Sequence, residues 1–431
     1  MAEKTPSVYL QYYFLNGLFN FCRALYISTY SLYLVEGVGI PVSWLLGLMV
    51  TDLAFSTAAE LPTGAFADAY GRKLSFVVAC GTCAIGYVLF ASVMLPALPL
   101  PGRLVLVFLG EVALAVGVAF YSGALDAWIV DHPSNPHTLS LQSLFAKAHA
   151  IKNAFYIAGG VVGIALFAQW PRFPGIYCVA AILCALLTAF AAASMHRDPP
   201  ESRAKQDHSD GRYLRTIYDR MADAVKTCVV DRTLSTLTIY SCAAMLLLQV
   251  LVVFWPYYLT LLPSSDAGRT GLYWTLATAW VAAYGCRALG NTCAGLAIAR
   301  RRPKLTICIS IAFTSACVLS LSLLPLLASN GVCSGPVVAA VIIYAFVRWG
   351  EGSGESLRQS MLNEVIEKPR RASVLSAVNV VALLGTSVML LLASAALSLG
   401  FSVLWMLSAI ALVNFSTLFL CSGLTSHPRI S

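Results

Sequence analysis

Ten ionisable side chains stand inside long apolar stretches of this sequence: Arg23, Asp52, Glu60, Glu111, Asp126, Arg287, Arg348, Glu351, Glu355 and Arg358. A charge surrounded by hydrocarbon is costly. Such groups therefore face protein or water, and they mark pathways, proton relays or ligand sites. A carboxyl taken out of water favours its neutral form, so it can load and release a proton near neutral pH. That makes Glu111, Asp52, Asp126, Glu351 and Glu355 candidates for proton carriage. Glu111 comes first, because no basic residue of its own helix lies one turn away within the stretch. Its competing role is a plain hydrogen bond to a neighbouring Tyr or Asn. Guanidinium groups anchor anions, which singles out Arg23, Arg287 and Arg348. The i,i+3 spacing also lets Arg348 neutralise Glu351, and Arg358 neutralise Glu355, within one helix.

Other reactive types are less informative. Most of the thirteen cysteines sit in apolar runs, where Cys behaves as a small hydrophobe. Cys80-Gly-Thr-Cys83 has redox-motif spacing but no βαβ context and no nearby His. All six histidines (His132, His137, His149, His196, His208 and His427) fall in or beside loops. No metal site, cofactor or catalytic constellation is expected, and an enzyme is not the reading.

These charges must be carried on helices in lipid. The 431 residues are 58% hydrophobic and 11% charged, against about 25% charged in soluble domains. A bilayer core needs about 20 apolar residues per helix. Spans are expected at roughly 8–35, 41–67, 74–96, 103–130, 146–170 and 173–195, then 231–261, 270–298, 305–328, 335–364, 372–398 and 400–423. The fold class is therefore all-α, with twelve transmembrane helices in two pseudo-symmetric six-helix halves. The halves are residues 1–195 and 231–431, joined by a polar linker at 196–230. Within the linker Leu214, Ile217, Met221, Val225 and Cys228 recur at helical spacing, as in an amphipathic surface helix.

With both termini inside, 21 of the 28 basic residues fall in cytoplasmic segments and three (Arg103, Arg172 and Arg269) outside. That is the positive-inside pattern. It accounts for the net charge of +8 without nucleic acid as a partner. The charged spans also repeat with a period of six helices: second with eighth, and fourth with tenth. The third, sixth, ninth and twelfth carry no charge. Polar and aromatic residues form stripes on three helices: Tyr9, Tyr13, Asn16, Asn20, Arg23 and Tyr30; Tyr273, Trp280, Tyr284, Arg287 and Asn291; and Tyr344, Arg348, Glu351, Glu355 and Arg358. Either they line a wet cavity or they only hold the bundle together as interhelical salt bridges. On the cavity reading, Asn16, Asn20, Arg23, Tyr30, Trp280, Tyr284, Arg287, Tyr344 and Arg348 contact the ligand. A small organic anion, or a zwitterionic and partly aromatic molecule, suits that lining.

Glu60-Leu-Pro-Thr-Gly64-Ala-Phe-Ala-Asp68-Ala-Tyr-Gly71-Arg72-Lys73, in the turn between the second and third spans, resembles the G-x-x-x-D-x-x-G-R-K signature of the major facilitator superfamily. Ser122 to Asp131 and Arg371 to Ser376 resemble a bacterial twelve-helix branch of that family. The resemblance implies a secondary transporter: a monomer in the inner membrane, cytoplasmic at both termini, moving a small solute by alternating access. It also implies that Arg72 bridges Asp68 and Asp131 in a latch, with Asp68 near the start of the eleventh helix and Gly64 against another backbone. The equivalent loop of the second half lacks the Asp. The fifth span holds Gly159-Gly160-Val-Val-Gly163 without the Gly-Pro pair of proton-coupled drug antiporters. No phosphate-binding loop is present, so an ion gradient or the solute's own gradient drives transport, with protons the expected ion. Efflux of a drug or metabolite is the leading expectation. The alternative is an importer or facilitator of a nutrient or organic anion.

Overall fold

The computed structural model describes residues 7–95, 98–130, 132, 141–169, 174–196, 225–262, 268–293, 302–330, 335–366 and 371–421. Their helices are α1 (Ser7–Ile27), α2 (Tyr30–Leu32) running into a π-helical turn (Tyr33–Val38), α3 (Val42–Tyr70), α4 (Arg72–Ser92), α5 (Leu100–Tyr121), α6 (Ala124–Val130), α7 (Leu141–Gln169) and α8 (Gly175–Ser194). They continue as α9 (Arg232–Thr260), α10 (Gly268–Cys293), α11 (Pro303–Ser329), α12 (Pro336–Val365), α13 (Arg371–Ser398) and α14 (Val403–Leu420). Each of the twelve expected spans is helical over most of its length, so the chain is an all-α, multi-pass membrane protein.

Two spans are broken where one helix was expected. The first interrupts at Ser28–Thr29 and resumes as α2 and the π-turn, which ends on Gly39. The fourth breaks between α5 and α6, because Gly123 takes a φ of 71°, a left-handed conformation that a side chain disfavours. Other boundaries follow ordinary start signals. Asp231 caps α9 by accepting from the Leu234 amide at 2.8 Å. Proline opens α11 and α12, where its missing N–H has no partner to lose.

Among the described residues, ten spans are long and apolar enough by hydropathy to cross a membrane; α1 and α10 are not among them. Those two bear two of the three polar stripes. Their greasy residues face the other way: Leu10 and Phe14 on α1, and Trp274, Val281 and Leu289 on α10, are exposed. Tyr9, Tyr13, Asn16, Asn20 and Trp280 are buried. This is the reverse of a soluble bundle and suits lipid outside.

The chain forms two compact units, residues 1–41 with 48–207, and residues 42–47 with 208–431. In the first, α1 packs on α7 and α8, and α4 packs on α5 and α8. In the second, α9 packs on α13 and α14, and α11 packs on α12 and α14. In span numbers the pairs 1–5, 1–6, 3–4 and 3–6 recur as 7–11, 7–12, 9–10 and 9–12. The same neighbour relations thus return six helices later, the internal repeat that the charge pattern announces. Close helix contacts rest on glycine. A Cβ at Gly163 would run into the Leu25 carbonyl of α1, and one at Gly290 into the Trp349 carbonyl of α12. Most of the expected linker helix, including Leu214, Ile217 and Met221, lies outside the described residues. Residues 225–230 are helical, and Cys228 is buried beside Leu234 and Val374.

Candidate functional site

In the N-terminal unit the polar stripe of the first span meets α5, through Tyr30 at the start of α2. The Tyr30 hydroxyl donates to the Glu111 carboxylate across 81 residues of sequence. Glu111 is only 5% exposed, and among the described residues no ion pair reaches it. Its electrostatic neighbour is a second carboxyl, Asp52. Asp52 in turn faces Arg23 and lies close to Ser56. Arg23 lies among Tyr26, Tyr87 and Tyr156, and its buried Nε has no partner among the described residues. Rings close the space around this group. Tyr177 stacks on Phe90 at 4.9 Å and 9°, and Tyr26 contacts Tyr30, Tyr87 and Tyr177. The result, among the described residues, is a carboxyl that holds one hydroxyl and no cation, inside an aromatic shell.

A second network lies further towards the start of α1. The Tyr121 hydroxyl donates to Asn16 Oδ1 at 2.6 Å, and Asn20 Nδ2 donates to the same two groups at 3.1 and 3.0 Å. Tyr121 also stacks on Phe19 at 4.2 Å. These amides are therefore bonded to one another. Asp126 is exposed and accepts from the Tyr12 hydroxyl at 2.6 Å. Cys80 and Cys83 lie buried near Cys22 and Cys184. Among the described residues no three His, Cys, Asp or Glu side chains are placed to hold a metal.

In the C-terminal unit the stripe of α12 forms an ionic cluster. Arg348, only 1% exposed, bonds Glu351 through Nη1, and Arg287 of α10 reaches the other oxygen of Glu351 with Nε at 3.4 Å. Arg358 grips Glu355 with Nε at 2.9 Å and Nη2 at 2.6 Å, while its Nη1 donates to Ser241 of α9 at 2.8 Å. Both intrahelical pairs that the spacing allows are thus formed. Arg348 also lies 5.1 Å over the Tyr284 ring, a cation–π contact. The aromatic candidates pack on other rings. Tyr344 stacks flat on Trp255 at 3.9 Å, and Trp280 tilts against Tyr284 at 4.7 Å.

A cavity of about 140 Å³ adjoins this cluster. Its polar wall is Tyr240, Arg287, Thr314, Glu351, Glu355 and Asn414. Tyr240, Thr314 and Asn414 were not among the expected site residues. They belong to the seventh, ninth and twelfth spans, and the last two of these carry no charge. A polar residue isolated in a span of that kind was the available signal.

The signature turn has its own geometry. Gly71 joins α3 to α4 with a φ of 100°, which explains a glycine there. Lys73 donates to the Met195 carbonyl at 2.7 Å, at the end of α8, where a cation meets the negative helix terminus. A Cβ at Gly64 would meet nothing within 4 Å, so no close backbone approach is described at that glycine. The side chain of Asp68, and Asp131 altogether, lie outside the described residues, so the expected latch with Arg72 does too.

A search of curated protein sequences found no match. Solved structures match over nearly the whole chain. A point mutant of the nucleoside transporter NupG gives a TM-score of 0.77 at 13% identity, covering 97% of this chain and 100% of that one. The POT family transporter PepTSo gives 0.72 at 12% identity, with 97% of each chain covered. A D-xylose-proton symporter gives 0.70 at 15% identity, with 96% of each covered. At such identity the likeness establishes the fold. Residues 12–346 match the family model described as Major Facilitator Superfamily, and with twelve helices in two repeated halves the chain belongs to that superfamily of membrane transporters.

Proposed function

We propose that this protein is a proton-linked secondary transporter that exports a small organic solute by alternating access, with Glu111 as the proton carrier. The observation that carries the proposal is Glu111 itself, a buried carboxyl bonded to Tyr30 and, among the described residues, joined to no cation. A carboxyl whose hydration changes between conformations changes its proton occupancy with it. Asp52 and Arg23 complete the local charge set. In the other unit the carboxylates Glu351 and Glu355 are each held by arginine, which suits ligand binding better than proton release. Alternating access would rock residues 1–195 against 231–431, with 196–230 as the linker. Arg72, Asp68 and Asp131 would form the latch. The basic-residue distribution supports an inner-membrane orientation with both termini cytoplasmic. The working unit is taken as a monomer.

The test is flux in proteoliposomes. Solute addition moves protons in the parent protein, and Glu111→Gln abolishes that movement. Unchanged coupling in Glu111→Gln removes Glu111 from the mechanism. A second reading, import by symport, is favoured by the fold's likeness to a D-xylose-proton symporter. Vesicle orientation separates the two. Export predicts proton-driven accumulation in inverted vesicles, and import predicts it in right-side-out ones.

A further inference from the structure

The cavity of the C-terminal unit has a chemistry of its own. Its wall carries one guanidinium, Arg287, and two carboxylates, Glu351 and Glu355. Arg348 sits behind Glu351 and Arg358 behind Glu355, so each carboxylate is already balanced by a buried cation. Arg287 is different. Its only ion pair among the described residues is the long Nε contact to Glu351, and its side chain is 34% exposed. That geometry leaves Nη1 and Nη2 for a carboxylate. Glu355 is the more exposed of the two cavity carboxylates, at 43%, and its oxygens retain lone pairs beyond the two that Arg358 uses. It lies one turn from Glu351 on α12, about 6 Å along the axis. Arg287, at Glu351, and Glu355 therefore offer opposite charges about one helical turn apart. Met245, Leu248 and Ile311 supply apolar wall, and the Tyr240 and Thr314 hydroxyls add short-range donors and acceptors. The volume of about 140 Å³ is well below the roughly 300–1,000 Å³ of pockets for drug-sized ligands.

We infer that this cavity binds a small aliphatic α-amino acid as its zwitterion, with the carboxylate on Arg287 and the ammonium on Glu355. The inference deepens the transporter reading by naming the substrate class, and it rests on that reading only for the claim that the bound molecule is moved. An anion alone would leave Glu355 facing an apolar group. A cation alone would leave the guanidinium terminus of Arg287 unused. An aliphatic side chain fits the Met245, Leu248 and Ile311 wall, and a bulky drug does not fit the volume.

The experiment uses the purified full-length protein in detergent and measures affinity by calorimetry for three molecules of one shape: valine, valinamide and 2-hydroxy-3-methylbutanoate. Glycine, alanine and leucine extend the size range. The zwitterion should bind about tenfold to a hundredfold more tightly than the amide or the hydroxy acid, the usual worth of one charged hydrogen bond. Arg287→Gln should erase the preference over the amide, and Glu355→Gln the preference over the hydroxy acid. Arg287→Lys, which keeps the charge, guards against a folding defect by retaining part of the preference over the amide. Equal binding of all three molecules, tighter binding of the hydroxy acid, or no binding by any amino acid overturns the inference. Flux keeps it distinct from the transporter reading. Selective binding without transport refutes transport alone. Transport of other solutes without amino acid binding refutes the zwitterion site alone.

Discussion

The Arg348–Glu351 pair is the most deeply buried charge pair described, and removing its two ends should have unequal consequences. Arg348 is 1% exposed and the Glu351 side chain 8%. Glu351→Met removes the carboxylate that Arg348 bonds and leaves the buried guanidinium over the Tyr284 ring. Breaking a buried pair in this way costs about 3–5 kcal/mol. Arg348→Met is milder, because Glu351 keeps Arg287 at 3.4 Å. Its cost is that of one charged hydrogen bond, about 1–3 kcal/mol. The double variant Arg348→Met/Glu351→Met removes both charges and fills similar volume. Apolar replacement of a buried pair is often neutral or stabilising, and Arg287, one-third exposed, can still reach water. The expected order of stability is therefore parent and double variant close together, Arg348→Met below them, and Glu351→Met lowest. Unfolding in mixed micelles, read by tryptophan fluorescence, gives all four corners of the cycle. A double variant as unstable as Glu351→Met, or single variants of equal cost, would refute the assignment of Arg287 as the second counter-ion.

Two further perturbations probe packing and the carboxyl site. Gly290→Ala pushes a methyl into the Trp349 carbonyl and should cost about 1–3 kcal/mol, whereas Gly64→Ala, which meets nothing within 4 Å, should stay within about 0.5 kcal/mol of the parent in the same unfolding assay. Tyr30→Phe deprives Glu111 of its donor and should cost about 1–3 kcal/mol. In a Glu111→Gln background the same change should cost less, and equal cost in both backgrounds would mean the Tyr30–Glu111 bond contributes little to stability.

How much was legible beforehand depends on the range over which each feature acts. Spans and intrahelical pairs are local, so hydropathy and i,i+3 spacing located the twelve helices and both pairs on α12. The six-helix period was visible because burying a charge in lipid is so expensive that few helices carry one, and the second with the eighth and the fourth with the tenth are equivalent pairs. The breaks at Ser28–Thr29 and Gly123 were missed, since apolar composition continues straight through them and only backbone geometry marks them. The partners of the buried charges were also hidden. Tyr30 and Glu111 are 81 residues apart, and Tyr12 and Asp126 are 114 apart. Helical periodicity says which face a residue occupies, but not which helix that face meets. Each stripe was open to cavity lining or to salt bridging, and the two halves have used them differently. On α1 the amides bond one another and the tyrosines enclose a carboxyl. On α10 and α12 the aromatics pack on rings, and the charges divide into arginines turned inward and carboxylates turned to a cavity. Among the described residues, one half therefore holds a buried acid with no ion pair, Glu111, whereas Glu351 and Glu355 of the other are each paired with arginine. Since a group already bound to arginine gives up or takes a proton only by breaking that pair, the asymmetry supports the proposed division of roles, with proton exchange in the N-terminal unit and ligand charge recognition in the C-terminal one.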